Sequence, residues 1–209
     1  MSEVHVLDHP LIIDKLTRMR RIDTSNQDFR LLLKEITLLM GFEITRDFKT
    51  VDTDIETPIC KASFPVLEDR FITIAPILRA GTGMVEGLLE LIPYAHVGFI
   101  GMYRDEVTHE PVEYYFKMPN DVEHSKIIVV DPMLATGGSA CDALNSLKSR
   151  GCTDLRLVNL VAAPEGIKRV QTEHPDVDIY VAAIDERLNE DAYIVPGLGD
   201  AGDRIFGTK

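Results

Sequence analysis

The sequence has few cysteines and lacks the long apolar runs that mark membrane proteins. Its three cysteines, at positions 60, 141 and 152, form no C-x-x-C pair, and reduced thiols are the simplest interpretation. No apolar run approaches the roughly 20 residues that a membrane span needs. The first residues, 1–5, lack the basic and then apolar layout of a signal peptide. We therefore expect a cytoplasmic location and no membrane partner.

Positive charge is also scarce. The chain carries 22 Lys and Arg against 34 Asp and Glu, which gives a net charge of −12. An acidic surface repels nucleic acid and anionic lipid, so we expect no nucleic-acid partner. Any anionic substrate must be held by a few well-placed Arg or Lys side chains and by backbone dipoles.

The apolar pattern predicts strands that alternate with helices in a single domain over residues 1–209. Strands are predicted at 71–75, 96–102, 127–130, 155–162 and 177–183, and helices at 84–92, 140–148 and 164–173. This alternation implies parallel pairing and right-handed crossovers, and the apolar strands imply a sheet covered on both faces. The predicted fold is α/β, with a central, mostly parallel sheet flanked by helices.

Four further segments are predicted outside this alternation. Asp8 and Pro10 begin an amphipathic helix, and residues 24–26 cap a second helix that we expect to end at Gly41. Alternating residues at 51–56 predict a half-exposed strand. Residues 103–118 predict a β-arm. The Gly-rich segment 187–209 predicts a long ordered loop, and a loop of that length usually has a function.

The most informative motif is the segment 129–139, Val-Val-Asp-Pro-Met-Leu-Ala-Thr-Gly-Gly-Ser. A buried strand ends at Asp131, a loop of small residues follows, and a helix begins. The backbone N–H groups of residues 136–139 are expected to face an anion at the positive end of that helix. Asp131 can accept hydrogen bonds from sugar hydroxyls. Phosphate and sugar sites side by side predict a ribose phosphate ligand.

A second strand–loop–helix segment contains Leu78, Arg79, Ala80 and Gly81. On its own it would be a tight turn with a surface arginine. Next to the first loop, it predicts a second anion site and a ligand with phosphate at both ends.

Other motifs are rejected by their context. Gly197, Gly199 and Gly202 match a dinucleotide fingerprint, but too few residues follow for the required helix and strand. The loop at 137–139 lacks the lysine of a Walker A motif, and no G-x-S-x-G is present. His5 and His9 have helical metal spacing but no third ligand nearby.

In this order, the motifs resemble the type I phosphoribosyltransferases, and within them the uracil-specific enzymes. Residues 130–139 resemble the phosphoribosyl-diphosphate (PRPP) signature, 78–81 the diphosphate loop, and 193–204 the uracil-binding segment. Most type I relatives carry two adjacent acids in the signature, whereas here Val130 precedes the single acid Asp131.

The resemblance implies a reaction of PRPP with uracil that gives UMP and diphosphate. It implies catalytic roles for Asp131, Arg104 and Asp200. The implied PRPP-binding residues are Arg79, Arg104, Asp131, Pro132, Met133, Leu134, Ala135, Thr136, Gly137, Gly138, Ser139 and Asp200. The implied uracil-binding residues are Tyr193, Ile194, Gly199, Asp200 and Ala201. The resemblance also implies Mg²⁺ carried by PRPP, with no direct protein ligand assigned.

The resemblance further implies a homo-oligomer, a dimer or tetramer, and in some members activation by GTP, although the sequence identifies no GTP site. Two alternatives stay open. One is a transferase for another base, and the other is a non-catalytic regulator on the same fold that responds to RNA or a nucleotide.

Overall fold

The computed structural model describes residues 2–104 and 111–208, and of residues 103, 104 and 111 it describes only the backbone. The strands are β1 (Val4–Val6), β2 (Thr50–Glu56), β3 (Lys61–Leu67), β4 (Ile72–Leu78), β5 (His96–Val97), β6 (Phe99–Arg104), β7 (Pro111–Lys117), β8 (Lys126–Val130), β9 (Met133–Leu134), β10 (Leu155–Ala162), β11 (Asp178–Ile184), β12 (Arg187–Leu188) and β13 (Ile194–Val195). The helices are α1 (Pro10–Arg20), α2 (Asn26–Ile44), α3 (Thr82–Leu91), α4 (Gly138–Lys148), α5 (Pro164–Glu173) and α6 (Ala201–Phe206). A 3-10 turn spans Val122–His124.

The central sheet has the strand order β1-β11-β10-β8-β4-β6-β7, with β5 on β4 and β9 on β10. All its pairings are parallel except that of β6 with β7. The predicted α/β class with a mostly parallel sheet is therefore confirmed. The carboxyl ends of β4 and β8 lie side by side, because Pro76 pairs with Val130.

Helices cover both faces of this sheet, and the strands alternate between two buried clusters. Ile128 and Val130 of β8 face the cluster formed with α1, α2 and α3, whereas Ile127 and Val129 face the cluster formed with α4 and α5. Strands buried on both faces are continuous apolar runs, which is why the sequence pattern located them. Ile194, Leu198, Ala201 and Ile205 of the C-terminal segment pack into the first cluster.

Two details of the N-terminal helices differ from expectation. Helix α1 is capped by His9, whose ring accepts a hydrogen bond from the Leu11 N–H, and not by Asp8. Helix α2 begins after Ser25 as predicted but continues through Gly41 to Ile44. Gly41 lies inside the helix because a β-carbon there would be 2.9 Å from Leu88 of α3. Close helix packing, rather than a helix end, explains this glycine.

The segment near 51–56 forms a hairpin, β2 with β3, that is separate from the central sheet. The strand forms as predicted, but every residue of β2 is exposed, so the expectation that its apolar face is buried is wrong. Strand β3 was not predicted, because it has no regularly buried face and its sequence therefore lacks the apolar alternation of a strand.

The segment 103–118 contributes the end of β6 and all of β7, and its residues 105–110 lie outside the described residues. The tail contains β12, β13 and the short helix α6 in addition to loop. Among the helices that the structure describes, each is too short or too polar to cross a bilayer.

Candidate active site

The candidate site lies at the carboxyl ends of β4 and β8. Strand β8 ends at Val130, Asp131 follows, and the loop to α4 begins. The loop after β4 fits against this point through Gly81, since a β-carbon there would lie 2.4 Å from the Val130 carbonyl oxygen. The two predicted anion loops are therefore direct neighbours, and Gly81 is required by their close approach.

Asp131 is a partly buried carboxyl with few partners. The Asn159 amide donates to the Asp131 carbonyl at 2.6 Å and fixes its backbone. The pKa of the Asp131 carboxyl is raised to about 7, mainly because of burial and also because of the negative charge of Asp200, while a hydrogen bond from the Met133 N–H acts in the opposite direction. Among the described side chains no Lys or Arg forms an ion pair with this carboxyl, which is available to a ligand hydroxyl.

The loop after Asp131 lines a small pocket of about 90 Å³ that extends from Asp131 and Met133 through Ser139 to Ala140. Gly137, with φ of +80°, is the residue before α4 and has no side chain to cap the helix, although the Gly138 N–H makes a long hydrogen bond of 3.4 Å to the Thr136 Oγ1. The free N–H groups of the first helical turn are therefore available to an anion. A volume of this size suits one phosphate group.

Arg79 lines neither pocket and lies beside the tail. Its guanidinium is near both the tail and α6, with its carbon 5.7 Å from the centre of the Phe206 ring. A β-carbon on Gly202 would lie 3.9 Å from the Arg79 Nη2. Arg79 is exposed, so its charge can meet an anion that enters the cleft.

A larger pocket of about 380 Å³ lies between the strand ends and the tail. Its wall comprises Ala80, Asp131, Met133, Ala135, Asp191, Ala192, Tyr193, Ile194, Gly199, Asp200, Ala201 and Gly202. Asp131, Met133 and Ala135 line the small pocket as well. The tail and the phosphate-type loop thus form one continuous cleft.

The tail presents main-chain atoms to this pocket. Gly199 has φ of +81°, a conformation that favours glycine. Asp200 caps α6 by accepting a hydrogen bond from the Asp203 N–H at 2.8 Å, and its carboxylate still contributes to the pocket wall. Tyr193 is 44% exposed at the rim, whereas Ile194 is buried beneath it.

A buried ion pair holds the tail in place. The Arg20 guanidinium of α1 binds both oxygens of Asp185 at 2.7 Å and also donates to the Gly197 carbonyl. Asp185, which follows β11, accepts a hydrogen bond from the Gly197 N–H at 2.8 Å. The N–H and the carbonyl of Gly197 are thereby both held by the Arg20–Asp185 ion pair.

A second arginine ties the tail to the N-terminal helices. Arg204 of α6 donates to the carbonyls of Leu198 and Arg21, and its guanidinium lies 4.6 Å from the centre of the Phe29 ring. The base of the pocket therefore depends on α1 and α2 as well as on the tail.

The predicted site residues are distributed unevenly around this cleft. All the predicted tail residues, Tyr193, Ile194, Gly199, Asp200 and Ala201, line the larger pocket. Met133 through Ser139 line the small pocket, where the Leu134 side chain points into the core. Pro132 is buried behind the loop and lines neither pocket. The side chain of Arg104 lies outside the described part of the chain.

Comparison with known proteins identifies the family of this chain. A family model described as uracil phosphoribosyltransferase matches residues 6–208. The chain belongs to the uracil phosphoribosyltransferase family. It is 57% identical to the uracil phosphoribosyltransferase of Exiguobacterium sibiricum and 59% identical to that of Bacillus thuringiensis, in each case over 209 residues and all of both chains.

Solved structures agree at the level of the fold. A protein of Aquifex aeolicus, AQ2163, superposes with a TM-score of 0.91 at 39% identity and covers 99% of each chain. A hypoxanthine-guanine phosphoribosyltransferase of Bacillus anthracis superposes with a TM-score of 0.53 at 18% identity, over 75% of this chain and 79% of that one. The second likeness shows the shared fold alone, a type I phosphoribosyltransferase fold.

Sequence analysis missed Arg20, Asp185 and Asn159, and it included Arg204 in the segment 193–204 without giving it a role. A signal existed for two of them. Arg20 follows Leu16 by four residues, on the face of α1 that is buried, and Asp185 comes directly after a buried strand. A charged side chain at either of these largely buried positions needs a partner of opposite charge. The other two gave no local signal.

Proposed function

We propose that this chain transfers the phosphoribosyl group of PRPP to N1 of uracil, giving UMP and diphosphate. The observation that carries the proposal is the continuous cleft, in which Asp131, Met133 and Ala135 belong to both the phosphate-sized pocket and the tail pocket. A ligand with a sugar at Asp131, a phosphate on the α4 loop and a base at the tail fits that arrangement.

We assign the 5′-phosphate to the backbone of residues 136–139 and the ribose hydroxyls to Asp131. The bond from C1′ to diphosphate breaks as uracil N1 attacks C1′, so positive charge develops on the sugar ring and negative charge on the leaving group. An ionised Asp131 favours the cationic ring, and Arg79 stabilises the departing diphosphate. Arg104 has the same proposed role on the basis of the family resemblance. Most of the rate enhancement then comes from positioning and electrostatics.

For the base, we propose recognition by the backbone near Gly199 and Ala201, over Ile194. Uracil offers two carbonyl acceptors and one N–H donor, a pattern that main-chain groups match. Cytosine would leave a buried donor unpaired, which costs about 1–3 kcal/mol. Tyr193 at the rim packs over the base.

Mg²⁺ fits the acids of this cleft. Asp131 and Asp200 supply the carboxylate oxygens that Mg²⁺ prefers, directly or through its water ligands. The repulsion from Asp200 that raises the pKa of Asp131 is the kind that a nearby divalent cation offsets. When bound with PRPP, the ion neutralises charge on the diphosphate.

We also propose a homo-oligomer, a dimer or tetramer, in the cytoplasm. Apolar side chains on the β2–β3 hairpin support assembly, since Ile59 is 91% exposed and Phe64 45% exposed. Activation by GTP rests on the family resemblance. It is tested by measuring kcat and KM for PRPP with and without GTP.

The function is tested by offering uracil, cytosine, orotate and hypoxanthine in turn with Mg²⁺ and PRPP, and measuring diphosphate release. We expect release with uracil and at least about a tenfold lower kcat/KM with cytosine. A Gly199→Val variant should lose uracil turnover because a β-branched residue is strained at the φ of +81° that this backbone adopts. Turnover with a purine but not uracil would reject the proposal. Tight RNA binding at low salt without turnover would favour a regulator.

A further inference from the structure

A cluster of three metal-ligating side chains lies outside the cleft, where α4 packs against α5. The Cys141 thiol, the Glu173 carboxylate and the His174 imidazole bring their ligand atoms within 4.8 Å of one another. Cys141 is completely buried and His174 is 1% exposed, whereas Glu173 lies at the surface. The proposed transfer reaction uses none of the three.

The imidazole of His174 is oriented for a ligand. Its Nε2 lies 3.2 Å from the Cys141 carbonyl oxygen, which can only accept, so Nε2 carries the proton. Nδ1 therefore presents a lone pair, and this buried atom has no hydrogen-bond partner among the described residues. Burial lowers the pKa of His174 and keeps the ring neutral. A histidine that donates one N–H to a carbonyl and keeps the other nitrogen bare is the usual state of a metal ligand.

The thiol and the carboxylate are already in contact. Cys141 hydrogen-bonds to Glu173, and burial raises the pKa of the thiol to about 12. Glu173 also accepts a hydrogen bond from the Arg169 Nε at 2.8 Å. The exposed side of Glu173 gives access from solvent. A divalent cation that entered there would replace the thiol proton.

We propose that Cys141, Glu173 and His174 form a binding site for a thiophilic divalent cation such as Zn²⁺. The donors are one sulfur, one imidazole nitrogen and one carboxylate oxygen, with water as the fourth ligand, a set that suits Zn²⁺ and does not suit Mg²⁺ or Ca²⁺. A thiolate and a carboxylate together cancel the charge of the ion. Binding releases one proton to solvent, from Cys141.

Arg169 is the competitor for this site and connects it to the phosphate-type loop. Its Nε forms an ion pair with Glu173 at 2.8 Å. A β-carbon added at Gly137 would lie 3.3 Å from the Arg169 β-carbon, so Arg169 also packs against the phosphate-type loop. The Arg169 guanidinium neutralises Glu173 and repels a cation that binds beside it. Removal of the Arg169 charge should increase metal affinity.

The test is a titration of the metal-free, full-length protein with Co²⁺, followed by displacement with Zn²⁺. We expect one Co²⁺ per chain, a thiolate-to-cobalt charge-transfer band in the near ultraviolet, and release of one proton. Cobalt at Asp131 and Asp200 would give no such band, because those ligands are oxygen atoms. The readout therefore does not depend on the proposed transfer activity.

Variants identify the ligands. Cys141→Ser should abolish the band, and Glu173→Gln, at an exposed position that leaves the core intact, should weaken Co²⁺ binding about tenfold or more. Arg169→Met should strengthen binding. Cys152→Ser is the matched control. Cys152 is a second buried thiol in the same hydrophobic cluster as Cys141 but not one of the three proposed ligands, so its replacement should leave the band unchanged. The proposal is overturned by absence of the band in the wild type, by its persistence in Cys141→Ser, or by unchanged affinity in Glu173→Gln.

Discussion

Asp131 combines two demands that conflict within one residue. The proposed chemistry needs an ionised carboxylate beside the sugar, yet the site is desolvated and faces the charge of Asp200, so the pKa of Asp131 is raised to about 7. A raised carboxyl pKa means that the folded protein holds the proton more tightly than the unfolded chain does. Ionised Asp131 therefore costs native stability, and the cost grows as the pH rises from about 4 to about 7.

Asp131→Asn should therefore separate activity from stability. We expect kcat to fall about 100-fold or more, because the neutral amide no longer favours a cationic ring. The unfolding free energy of the variant minus that of the wild type should be about 2–3 kcal/mol larger at about pH 8 than at about pH 5, because only the wild type bears the cost of ionising Asp131. Urea denaturation at the two pH values measures this difference.

Asp52→Asn, at an exposed position of β2, controls for the loss of one negative charge. A stability difference for Asp131→Asn that is the same at both pH values would contradict the raised pKa. Unchanged kcat would remove Asp131 from the reaction.

Asp185 acts on the base pocket through the backbone of Gly197. In Asp185→Asn the Arg20 guanidinium, whose side chain is 22% exposed, loses its counter-charge. We expect a loss of about 2–4 kcal/mol in unfolding free energy and a larger rise in KM for uracil than in KM for PRPP.

Asp14→Asn is the matched control, because Asp14 pairs with Arg18 on the same helix but both side chains are more than half exposed. That change should cost no more than about 1 kcal/mol. Equal denaturation midpoints for the two variants would show that the Arg20–Asp185 pair does not hold the tail.

At the scale of elements, burial decides what the sequence can predict. The inner strands β4, β8, β10 and β11 are apolar on both faces, and the pattern located all four. It did not predict the short strands β1 and β9, and it gave β5 and β6 as one strand at 96–102. Strand β3 carries Phe64 and Pro65 on a hairpin without a buried face, so no period distinguishes it. Helix α6 has only six residues after a glycine-rich stretch, which is too short for a helical pattern. The Arg20–Asp185 pair joins distant parts of the chain, and no local signal specifies its geometry.

Two glycines, one in a loop and one inside a helix, differ in what a β-carbon added at each position would contact. A β-carbon at Gly81 would meet backbone oxygens of Val130 and Ile77 at 2.4 and 2.6 Å, which can move only if β4 and β8 separate. At Gly41 it would meet the tips of Leu88 and Leu91 at 2.9 and 3.0 Å, and these side chains can shift.

Gly81→Ala should therefore cost at least about 2 kcal/mol more in unfolding free energy than Gly41→Ala, which also gains helix propensity. The Gly81 variant should lose PRPP binding as well, because Arg79 moves with the loop. Thermal and urea unfolding of both variants measure the difference. Similar stabilities would mean that the loop after β4 does not depend on close contact with β8.

At the scale of the whole molecule, the cleft is assembled from distant parts of the chain. The N-terminal helices support the tail through Arg20 and Phe29, and the central strands present the two loops. The net charge is −12 and the cleft itself contains Asp131, Asp191 and Asp200, so an anionic substrate depends on local groups such as Arg79 and the start of α4. Motif spacing predicted the two neighbouring loops because strand ends meet at one edge of a parallel sheet, whereas the tail residues were implied by the family resemblance. It could not predict their support, which depends on three-dimensional packing.

Ligands that fill different parts of this cleft should protect different segments from amide hydrogen exchange. UMP spans both pockets and should slow exchange in residues 131–139 and 191–202 together. Inorganic phosphate should protect the first segment alone, and uracil the second. At about 100 times its Kd, UMP should also raise the unfolding free energy by about 2.7 kcal/mol. The β2–β3 hairpin, which lies apart from the central sheet, is the internal control and should not change. Protection of only one segment by UMP would mean that the tail and the α4 loop do not hold the same ligand.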